Sequence, residues 1–304
     1  MKFLYILESL RTPWLNTVFS MATHLGSEIV FMVLAVVMYW CVSKQEGLYL
    51  LGVGCFGTTV NQYLKLKFRV PRPWVRDPDF TIVESARADA TGYSFPSGHT
   101  QNAVGTFGCM AMGTKKKIRW LYVFLAALTA FSRMYLGVHT PADVLVSAAI
   151  SIIMVVALRP AFLGLEEKPI KGIWILLAFF AVSMLYLVYA NVLELPPEVD
   201  QSNLEHGIEN AAKLAGAILG MTVGYAIDVK WVKFDTKAPL FAQVLKCVLG
   251  LALVMAIKEG LKPVLGSGSF SAAVRYGLMT LFAGGIWPMT FSYFSDIGRK
   301  KVSH

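Results

Sequence analysis

Two histidines and a nearby aspartate are the residues of this sequence whose types and spacing suggest chemistry. His99 closes the run Phe95-Pro96-Ser97-Gly98-His99, and His139 stands four residues before Asp143. A carboxylate that holds one imidazole nitrogen leaves the other nitrogen free to act as a nucleophile. The second imidazole, on His99, is then available to protonate a leaving oxygen. The pattern predicts a nucleophile, its orienting carboxylate and an acid at one site.

Asp143 also has a purely structural interpretation. Thr140-Pro141-Ala142-Asp143 is typical of a helix start in which Thr140 is the cap and Asp143 its reciprocal partner. The spacing of four residues places His139 and Asp143 on one face of a helix. We expect the carboxylate to serve both roles with different oxygens, because one oxygen cannot fill both.

Cations follow the second apolar segment. Lys65 and Arg72 lie nearly on the same side of a helix if that helix continues to Val70, and Pro71 and Pro73 then stop it. Arginine offers a planar fork to phosphate oxygens, and lysine offers a point charge. The alternative interpretation is that both cations reach from a helix end toward the membrane surface.

The run around Ser97 predicts an anion site at a helix N-terminus. Pro96 suits the first helical position, and Gly98 lets a ligand come close to the backbone. Unpaired N–H groups and the helix dipole attract an anion there. Ser97 adds a hydroxyl donor, and Arg133 adds a third cation. Together with Lys65 and Arg72 these groups predict binding of a phosphate.

Composition indicates that the rest of the chain lies mostly in lipid. Of the 304 residues 56% are hydrophobic and 15% are charged, whereas a soluble domain has about 25% charged residues. Apolar runs approach the roughly 20 residues that span hydrocarbon. We therefore predict an all-α integral membrane protein with about nine transmembrane helices, preceded by an amphipathic interfacial helix over residues 1–20. The predicted spans are 22–42, 47–66, 97–113, 120–136, 142–158, 170–190, 207–227, 240–261 and 272–294.

The net charge of +9 has a simple explanation in membrane topology. If nine spans alternate, every basic loop falls on one side, which the positive-inside rule makes cytoplasmic. These groups are Ser43-Lys44, Lys115-Lys116-Lys117-Ile118-Arg119, Arg159 with Lys168 and Lys171, Lys230 with Lys233 and Lys237, and Arg299-Lys300-Lys301. The acidic loop Asn191–His206 then lies outside, with the N-terminus and the candidate site. No nucleic-acid-binding signature is present, and we expect a membrane partner, not a nucleic acid.

The chain divides by composition into three parts: the interfacial helix (1–20), a core that carries the chemistry (21–160) and additional transmembrane helices (161–304). The loop from Trp74 to Ser94 lies between two parts of the site, and it is interpreted either as a lid or as an ordinary solvated loop. Lys246 is expected to extend toward the basic end of its helix.

Two further groups have both a functional and a structural interpretation. Glu205, Glu209 and Lys213 stud the seventh span, where they either shape a substrate entrance or form a Glu209–Lys213 helical pair. The cysteines show no paired spacing and are interpreted as small hydrophobic residues. They are Cys41, Cys55, Cys109 and Cys247.

The joint pattern is far more specific than any of its parts. Lys-x6-Arg-Pro, then Pro-Ser-Gly-His, then Ser-Arg-x5-His-x3-Asp occur in this order between Lys65 and Asp143. With these motifs the chain resembles the type-2 phosphatidic acid phosphatases, which share a fold and site with vanadium haloperoxidases and glucose-6-phosphatase. The resemblance covers residues 47–158 and shows no departure at a signature position.

The resemblance implies a two-step phosphate transfer that uses no metal or other cofactor. His139 would attack phosphorus to form a phosphohistidine, Asp143 would orient it, and His99 would protonate the leaving alkoxide and then activate water. The phosphate oxygens would be held by Lys65, Arg72, Ser97, Arg133 and the Gly98 N–H. Positioning and charge neutralisation are what phosphoryl transfer requires.

The expected substrate is a lipid phosphate or pyrophosphate at the outer leaflet. Candidates carry a phospholipid, polyprenyl or sphingoid tail. Nine spans with an external N-terminus resemble glucose-6-phosphatase more than the six-span lipid enzymes, so a soluble sugar phosphate is an alternative. A phosphotransferase with an acceptor other than water is another. A transporter or flippase is the alternative from a different class, and it predicts no need for His139.

Overall fold

A computed structural model describes residues 1–194 and 201–297 of the chain. Within these residues the secondary structure is entirely helical, with α-helices joined by short 3₁₀ and π-helical turns and no strand. This agrees with the predicted all-α class. The acidic residues Glu198 and Asp200 and the basic run Arg299-Lys300-Lys301, on which part of the topology prediction depends, lie outside the described residues.

Fourteen α-helices are present in the described ranges. They are α1 (Lys2–Ser9), α2 (Pro13–Thr23), α3 (Glu28–Val37), α4 (Lys44–Phe68), α5 (Pro73–Arg76), α6 (Gly98–Met112), α7 (Lys116–Tyr135), α8 (Pro141–Phe162), α9 (Pro169–Val192), α10 (Gln201–Ile227), α11 (Leu240–Gly260), α12 (Lys262–Leu265), α13 (Ser269–Leu281) and α14 (Phe291–Asp296).

Four helical segments among the described residues are long and apolar enough to cross a membrane, and a bent pair of helices would make a fifth. The four are Pro141–Phe162, Pro169–Val192, Gln201–Val232 and Leu240–Leu265. The bent pair is Pro13–Gly26 with Glu28–Val42, which meet at 50°. The other predicted spans coincide with α4, α6, α7 and the interrupted helices from α13 to α14. A multi-pass membrane protein follows from the apolar helices. By length and composition, four or five of the nine predicted spans qualify among the described residues.

The chain folds into two compact units, each assembled from separate stretches of sequence. Unit 1 comprises Met1–Leu34, Tyr49–Pro160 and Val188–Ile208. Unit 2 comprises Ala35–Leu48, Ala161–Leu187 and Glu209–His304. All the residues predicted to carry chemistry belong to unit 1.

Unit 1 is built around the packing of α6 against α7, with α2 on α7. One apolar cluster joins Ala103 and Phe107 of α6 to Ala126 of α7. The small and aromatic side chains interdigitate there, so the two helices hold a fixed relative position. The segment that precedes Gly98 therefore lies at one end of this helix pair. The segment that follows Met112 lies at the other end.

The N-terminus of unit 1 forms two helices instead of the single one predicted over residues 1–20. The first helix ends at Ser9, and Thr12 starts the second, because its side chain accepts the Leu15 N–H as an N-cap. Tyr5 donates to Asp77 at 2.9 Å, and Glu8 accepts the Thr81 N–H at 3.0 Å. Helix α1 is therefore fastened to the segment that follows α5.

The segment from Trp74 to Ser94 is packed into unit 1. Phe80 and Ile82 are buried in a cluster with Leu4 of α1, and Ala86 and Ala90 pack in a second cluster. The apolar side chains therefore anchor this loop to unit 1, while its charged residues such as Arg76, Asp79 and Arg87 are exposed.

Unit 2 contains a closed ion pair between Lys44 and Asp228, with Nζ 2.7 and 3.0 Å from the two carboxylate oxygens. Glu209 and Lys213 form the predicted helical pair, at 2.9 Å. Lys246 does not extend to a surface. Its side chain is buried, and Nζ donates to the Trp40 carbonyl at 3.0 Å, because a buried ammonium needs a hydrogen-bond acceptor.

Two cysteines of unit 2 lie close together in space, although they are far apart in the sequence. Sγ of Cys41 lies 3.2 Å from Sγ of Cys247, and both are free thiols. The two residues are 206 positions apart, so the tertiary structure, not a local motif, brings them together.

Candidate active site

Arg72 reaches the site from a loop, not from a helix face. Helix α4 ends at Phe68, and Arg69 then adopts a left-handed conformation with φ of 51°. The prediction that the helix would continue to Val70 is therefore wrong, since the reversal at Arg69 ends it before the prolines do. Lys65 lies in the last turn of α4, and Arg72 precedes the short helix α5.

Four acceptors hold the guanidinium of Arg72. Its Nη1 donates to the carbonyl of Val138 at 3.0 Å and lies 2.9 Å from Nε2 of His139. Its Nε and Nη2 donate to the carbonyls of Gly92 and Thr91, at 3.0 and 2.7 Å. Because a guanidinium only donates, Nε2 of His139 is the acceptor in this contact. The neutral imidazole therefore carries its proton on Nδ1 and has a lone pair on Nε2.

The carboxylate of Asp143 faces the other side of the same imidazole. Its Oδ2 lies 3.5 Å from Nδ1 of His139 and accepts the Thr140 N–H at 2.8 Å. Thr140 Oγ1 accepts the Asp143 N–H in return at 3.3 Å, so the predicted capping box is present. The expectation that the two oxygens would divide these roles is wrong. Oδ2 serves both, because one carboxylate oxygen can accept more than one hydrogen bond.

Helix α6 begins with Ser97 as its N-cap. Ser97 Oγ accepts the N–H and the hydroxyl of Thr100, at 3.4 and 3.0 Å, which leaves its own proton to donate. Pro96 was predicted at the first helical position, but the helix starts only at Gly98, because Ser97 supplies the cap. The Ser97 N–H donates to the backbone carbonyl of Asp143 at 3.2 Å. This bond joins the start of α6 to the start of α8.

Arg133 is fully buried at the end of α7, and its guanidinium is only partly satisfied. Nη1 donates to Thr23 Oγ1 at 2.6 Å. Nε and Nη2 find no hydrogen-bond partner within residues 1–194 and 201–297. Buried donors are normally paired, so an arginine with two free nitrogens is suited to accept an anion. The carbonyl of Arg133 accepts the His139 N–H at 3.3 Å.

Lys65 and His99 complete the set. The ammonium of Lys65 donates to the carbonyl of Tyr93, the residue before Ser94. His99 lies in the first turn of α6, where the charges of Arg133, Arg72 and Lys65 act on its imidazole. Lys65, Arg72, Ser97, Gly98, His99, Arg133, His139 and Asp143 are thus brought into one region of unit 1.

The positive charges have a direct electrostatic effect on the predicted nucleophile. Burial, followed by the charges of Arg72 and Arg133, holds the pKa of His139 well below its ordinary value of 6.5. Burial also lowers the pKa of Arg72 to about 10, an effect that the negative charge of Asp143 opposes. At neutral pH the His139 imidazole is therefore uncharged, and Arg72 remains a cation.

The donors at this site suit an oxyanion. Among the described residues no three His, Cys, Asp or Glu side chains are grouped as metal ligands would be. Arginine, lysine, a serine hydroxyl and the N–H groups at the start of α6 instead offer only positive charge and hydrogen-bond donors. Among these donors, Nη1 of Arg72 lies 2.9 Å from Nε2 of His139.

Three contributing residues were missed in the sequence. Ser94 donates to Asp143 at 2.6 Å, and Thr23 accepts from Arg133. Gly26 packs so close to α6 that a Cβ there would overlap the backbone oxygen of His99. Ser94 adjoins the Pro-Ser-Gly-His motif and could have been noticed. Thr23 and Gly26 carry no local signal, because their partners lie far along the chain.

The chain matches known phosphatases in two regions. The PAP2 superfamily model matches residues 46–166, and that of the PAP2 superfamily phosphatase transmembrane extension matches residues 212–298. The probable sphingosine-1-phosphate phosphatase of Dictyostelium discoideum is 28% identical over 78% of this chain and 58% of its own. Undecaprenyl-diphosphatase BcrC of Bacillus subtilis is 38% identical over 37% of this chain and 55% of its own. Phosphatidylglycerophosphatase B of Bacillus subtilis is 30% identical over 52% of this chain and 79% of its own.

This chain belongs to the PAP2 superfamily. The family assignment agrees with the resemblance that the three motifs carried. The match spans a little over half the length of the first two of these relatives, at 58% and 55%.

Proposed function

We propose that the chain is a metal-independent membrane phosphatase that hydrolyses a lipid phosphate or pyrophosphate through a phosphohistidine intermediate. The observation that carries this proposal is that Nη1 of Arg72 lies 2.9 Å from Nε2 of His139, and that the charges of Arg133 and Lys65 also act on this imidazole. Cations without carboxylate partners stabilise the charge that develops on a transferring phosphoryl group.

In the first step Nε2 of His139 attacks phosphorus, and the bond from phosphorus to the leaving oxygen breaks. His99 gives its proton to that oxygen, and the entering phosphate charge stabilises the protonated imidazole before transfer. Nη1 of Arg72 moves its hydrogen bond from Nε2 to a phosphoryl oxygen. The Nδ1 proton stays on His139, where Asp143 Oδ2 stabilises the positive charge.

In the second step His99, now neutral, takes a proton from water. The hydroxide attacks phosphorus, the bond from phosphorus to Nε2 breaks, and inorganic phosphate leaves. Ser97, the Gly98 N–H, Lys65, Arg72 and Arg133 hold the phosphoryl oxygens through both steps. Because these donors are fixed by the backbone carbonyls and caps described above, little reorganisation is needed during transfer.

A lipid substrate is supported by the apolar helices and by the relatives. The names of the three relatives refer to sphingoid, polyprenyl and phospholipid phosphates. The catalytic core is taken as residues 21–160 within a bundle of nine spans, with α1 lying at the membrane interface. The distribution of basic loops and the positive-inside rule support a site on the non-cytoplasmic face of the cell membrane.

Purified protein in detergent should release inorganic phosphate from at least one lipid of a defined panel. The panel contains a sphingoid phosphate, a polyprenyl diphosphate, phosphatidylglycerophosphate and, for the sugar-phosphate alternative, glucose 6-phosphate. His139→Ala should lower kcat by at least about 1000-fold, because the covalent route is lost. A variant that elutes as wild type on size exclusion yet keeps its activity contradicts the role of His139. Wild type that releases phosphate from no member of the panel favours the transporter alternative.

A second measurement checks the intermediate. Wild type quenched in alkali shortly after mixing with ³²P-labelled substrate should carry label on histidine, and His139→Ala should carry none. Label on another residue would contradict the role proposed for His139. If the enzyme prefers glucose 6-phosphate to every lipid of the panel, the substrate class is a sugar phosphate and not a lipid phosphate. The proposed phosphohistidine mechanism is unaffected by that result.

A further inference from the structure

A short segment just before the Pro-Ser-Gly-His motif contacts four of the eight residues of the site. Its carbonyls bind two of the cations: those of Thr91 and Gly92 bind Arg72, and that of Tyr93 binds Lys65. Ser94 closes the segment, and its N–H donates to the carbonyl of Val70 at 2.8 Å. The carbonyl contacts use backbone atoms, so they place no demand on residue type. The side chain of Ser94 is different.

The hydroxyl of Ser94 reaches the catalytic carboxylate. Ser94 is fully buried, and its Oγ donates to Asp143 Oδ2 at 2.6 Å. The same Oγ lies 3.5 Å from Nδ1 of His139. Hydrogen bonds from a hydroxyl to a carboxylate of this length are among the strong ones. The other groups that face this oxygen in the described part of the chain are the Thr140 N–H at 2.8 Å, which belongs to the helix cap, and Nδ1 of His139 at 3.5 Å.

We propose that Ser94 is a positioning residue that fixes the Asp143 carboxylate, and through it the tautomer and orientation of the His139 imidazole. The inference rests on the proposed function, because it assigns Ser94 to the same nucleophile. Ser94 touches neither substrate nor reacting atoms in this scheme. It sets the direction in which Oδ2 faces Nδ1, and hence the direction in which Nε2 faces phosphorus.

The charge on the carboxylate gives the expected direction of a pH effect. The titratable and charged groups that act on His139 are Asp143, Arg72, Arg133, Lys65 and His99. Removing the Ser94 donor leaves the carboxylate charge less stabilised, so it attracts the imidazolium more strongly. The pKa of His139 then rises toward its ordinary value. Since the neutral imidazole is the nucleophile, the acid limb of the activity profile moves to higher pH.

The test compares Ser94→Ala with Ser94→Thr, which keeps a hydroxyl, and with Ser151→Ala. Ser151 is another buried serine of unit 1, but it donates to helix carbonyls, at 2.9 Å for the better bond. Ser94→Ala should slow phosphohistidine formation roughly ten- to a hundredfold, the effect of losing a hydrogen bond to a charged group. KM should change little, and the acid limb should shift upward. Ser94→Thr should recover most of the rate, and Ser151→Ala should match wild type.

Two results would overturn the assignment. One is a Ser94→Ala enzyme with the rate and pH profile of wild type. The other is equal loss in Ser94→Ala and Ser94→Thr with the acid limb unmoved, which indicates a packing role only. His139→Ala is assayed alongside. If His139→Ala is active, the proposed function itself fails and this assignment with it, whereas an inactive His139→Ala beside a fully active Ser94→Ala removes only the role of Ser94.

Discussion

The buried aspartates of the two units have different kinds of partner. In unit 2 Asp228 contacts the ammonium of Lys44 with both oxygens, and its Oδ1 also accepts the Phe234 N–H. In unit 1 Asp143 pairs with no lysine or arginine among the described residues, although cations lie close by. Its partners are a hydroxyl, a backbone N–H and the imidazole of His139.

This difference separates a structural ion pair from a binding site. A cation and a carboxylate that are fully paired satisfy each other and leave nothing for a ligand, even though the Lys44–Asp228 pair borders a cavity of about 570 Å³. Buried cations that lack a carboxylate are unfavourable on their own. Unit 1 contains such cations, so an anion that entered the site would stabilise this unit. The contrast predicts that charge removal should affect function in unit 1 and stability in unit 2.

Arg133→Gln should give the largest effect on catalysis. It removes the fully buried cation whose Nε and Nη2 are free in the described chain. We expect kcat/KM to fall by about 100- to 1000-fold, as for loss of one preorganised donor to a developing oxyanion. The free energy of unfolding in detergent should stay the same or rise, because an uncompensated buried charge is gone.

Arg133→Lys is the matched control for charge without the guanidinium fork. It should recover part of the lost kcat/KM and part of the affinity for inorganic phosphate as a product inhibitor. If Arg133→Gln unfolds more easily and keeps its affinity for inorganic phosphate, the guanidinium is structural and the contrast between the two units breaks down.

Asp228→Asn should give the reverse result. It leaves Lys44 without its carboxylate, and the free energy of unfolding should fall by about 2 kcal/mol. This is below the usual cost of breaking a buried pair because the Lys44 side chain is 24% exposed. Chemical denaturation in detergent measures the loss, and kcat/KM should stay within about twofold. The double variant Lys44→Met/Asp228→Asn should regain stability, and failure to do so would indicate that Asp228 acts mainly through Phe234.

The sequence predicts which residues belong to the site better than it predicts the backbone elements that carry them. His139, Asp143 and the start of α6 follow from local spacing, because capping and helix periodicity are properties of a few adjacent residues. Arg72 was predicted to be in the site but on a continued helix face. The left-handed residue Arg69, which ends α4, is neither glycine nor asparagine and gives no signal.

Contacts between distant segments could not be read from any motif. Thr23 binds Arg133 across 110 positions, and nothing about a threonine near a predicted span distinguishes it from its neighbours. The two N-terminal helices were likewise merged into one, because a Thr-Pro pair within a short amphipathic run is a weak boundary. Tertiary packing, which the sequence does not display, settles such details.

Thr23→Val tests how the buried cation of unit 1 is held in place, and it should have the smallest effect of these variants. Valine has nearly the shape of threonine, so the change removes the acceptor of Arg133 Nη1 with little change in packing. The cation remains, but one of its three nitrogens loses its only partner in the described chain, and the guanidinium is free to turn. We expect kcat/KM to fall about tenfold, the effect of one misaligned hydrogen bond to a charged group. Thr23→Ser keeps the hydroxyl and should match wild type. If Thr23→Val also matched wild type, helix α7 alone would set the position of Arg133. The contact between Thr23 and Arg133 would then contribute little to the site.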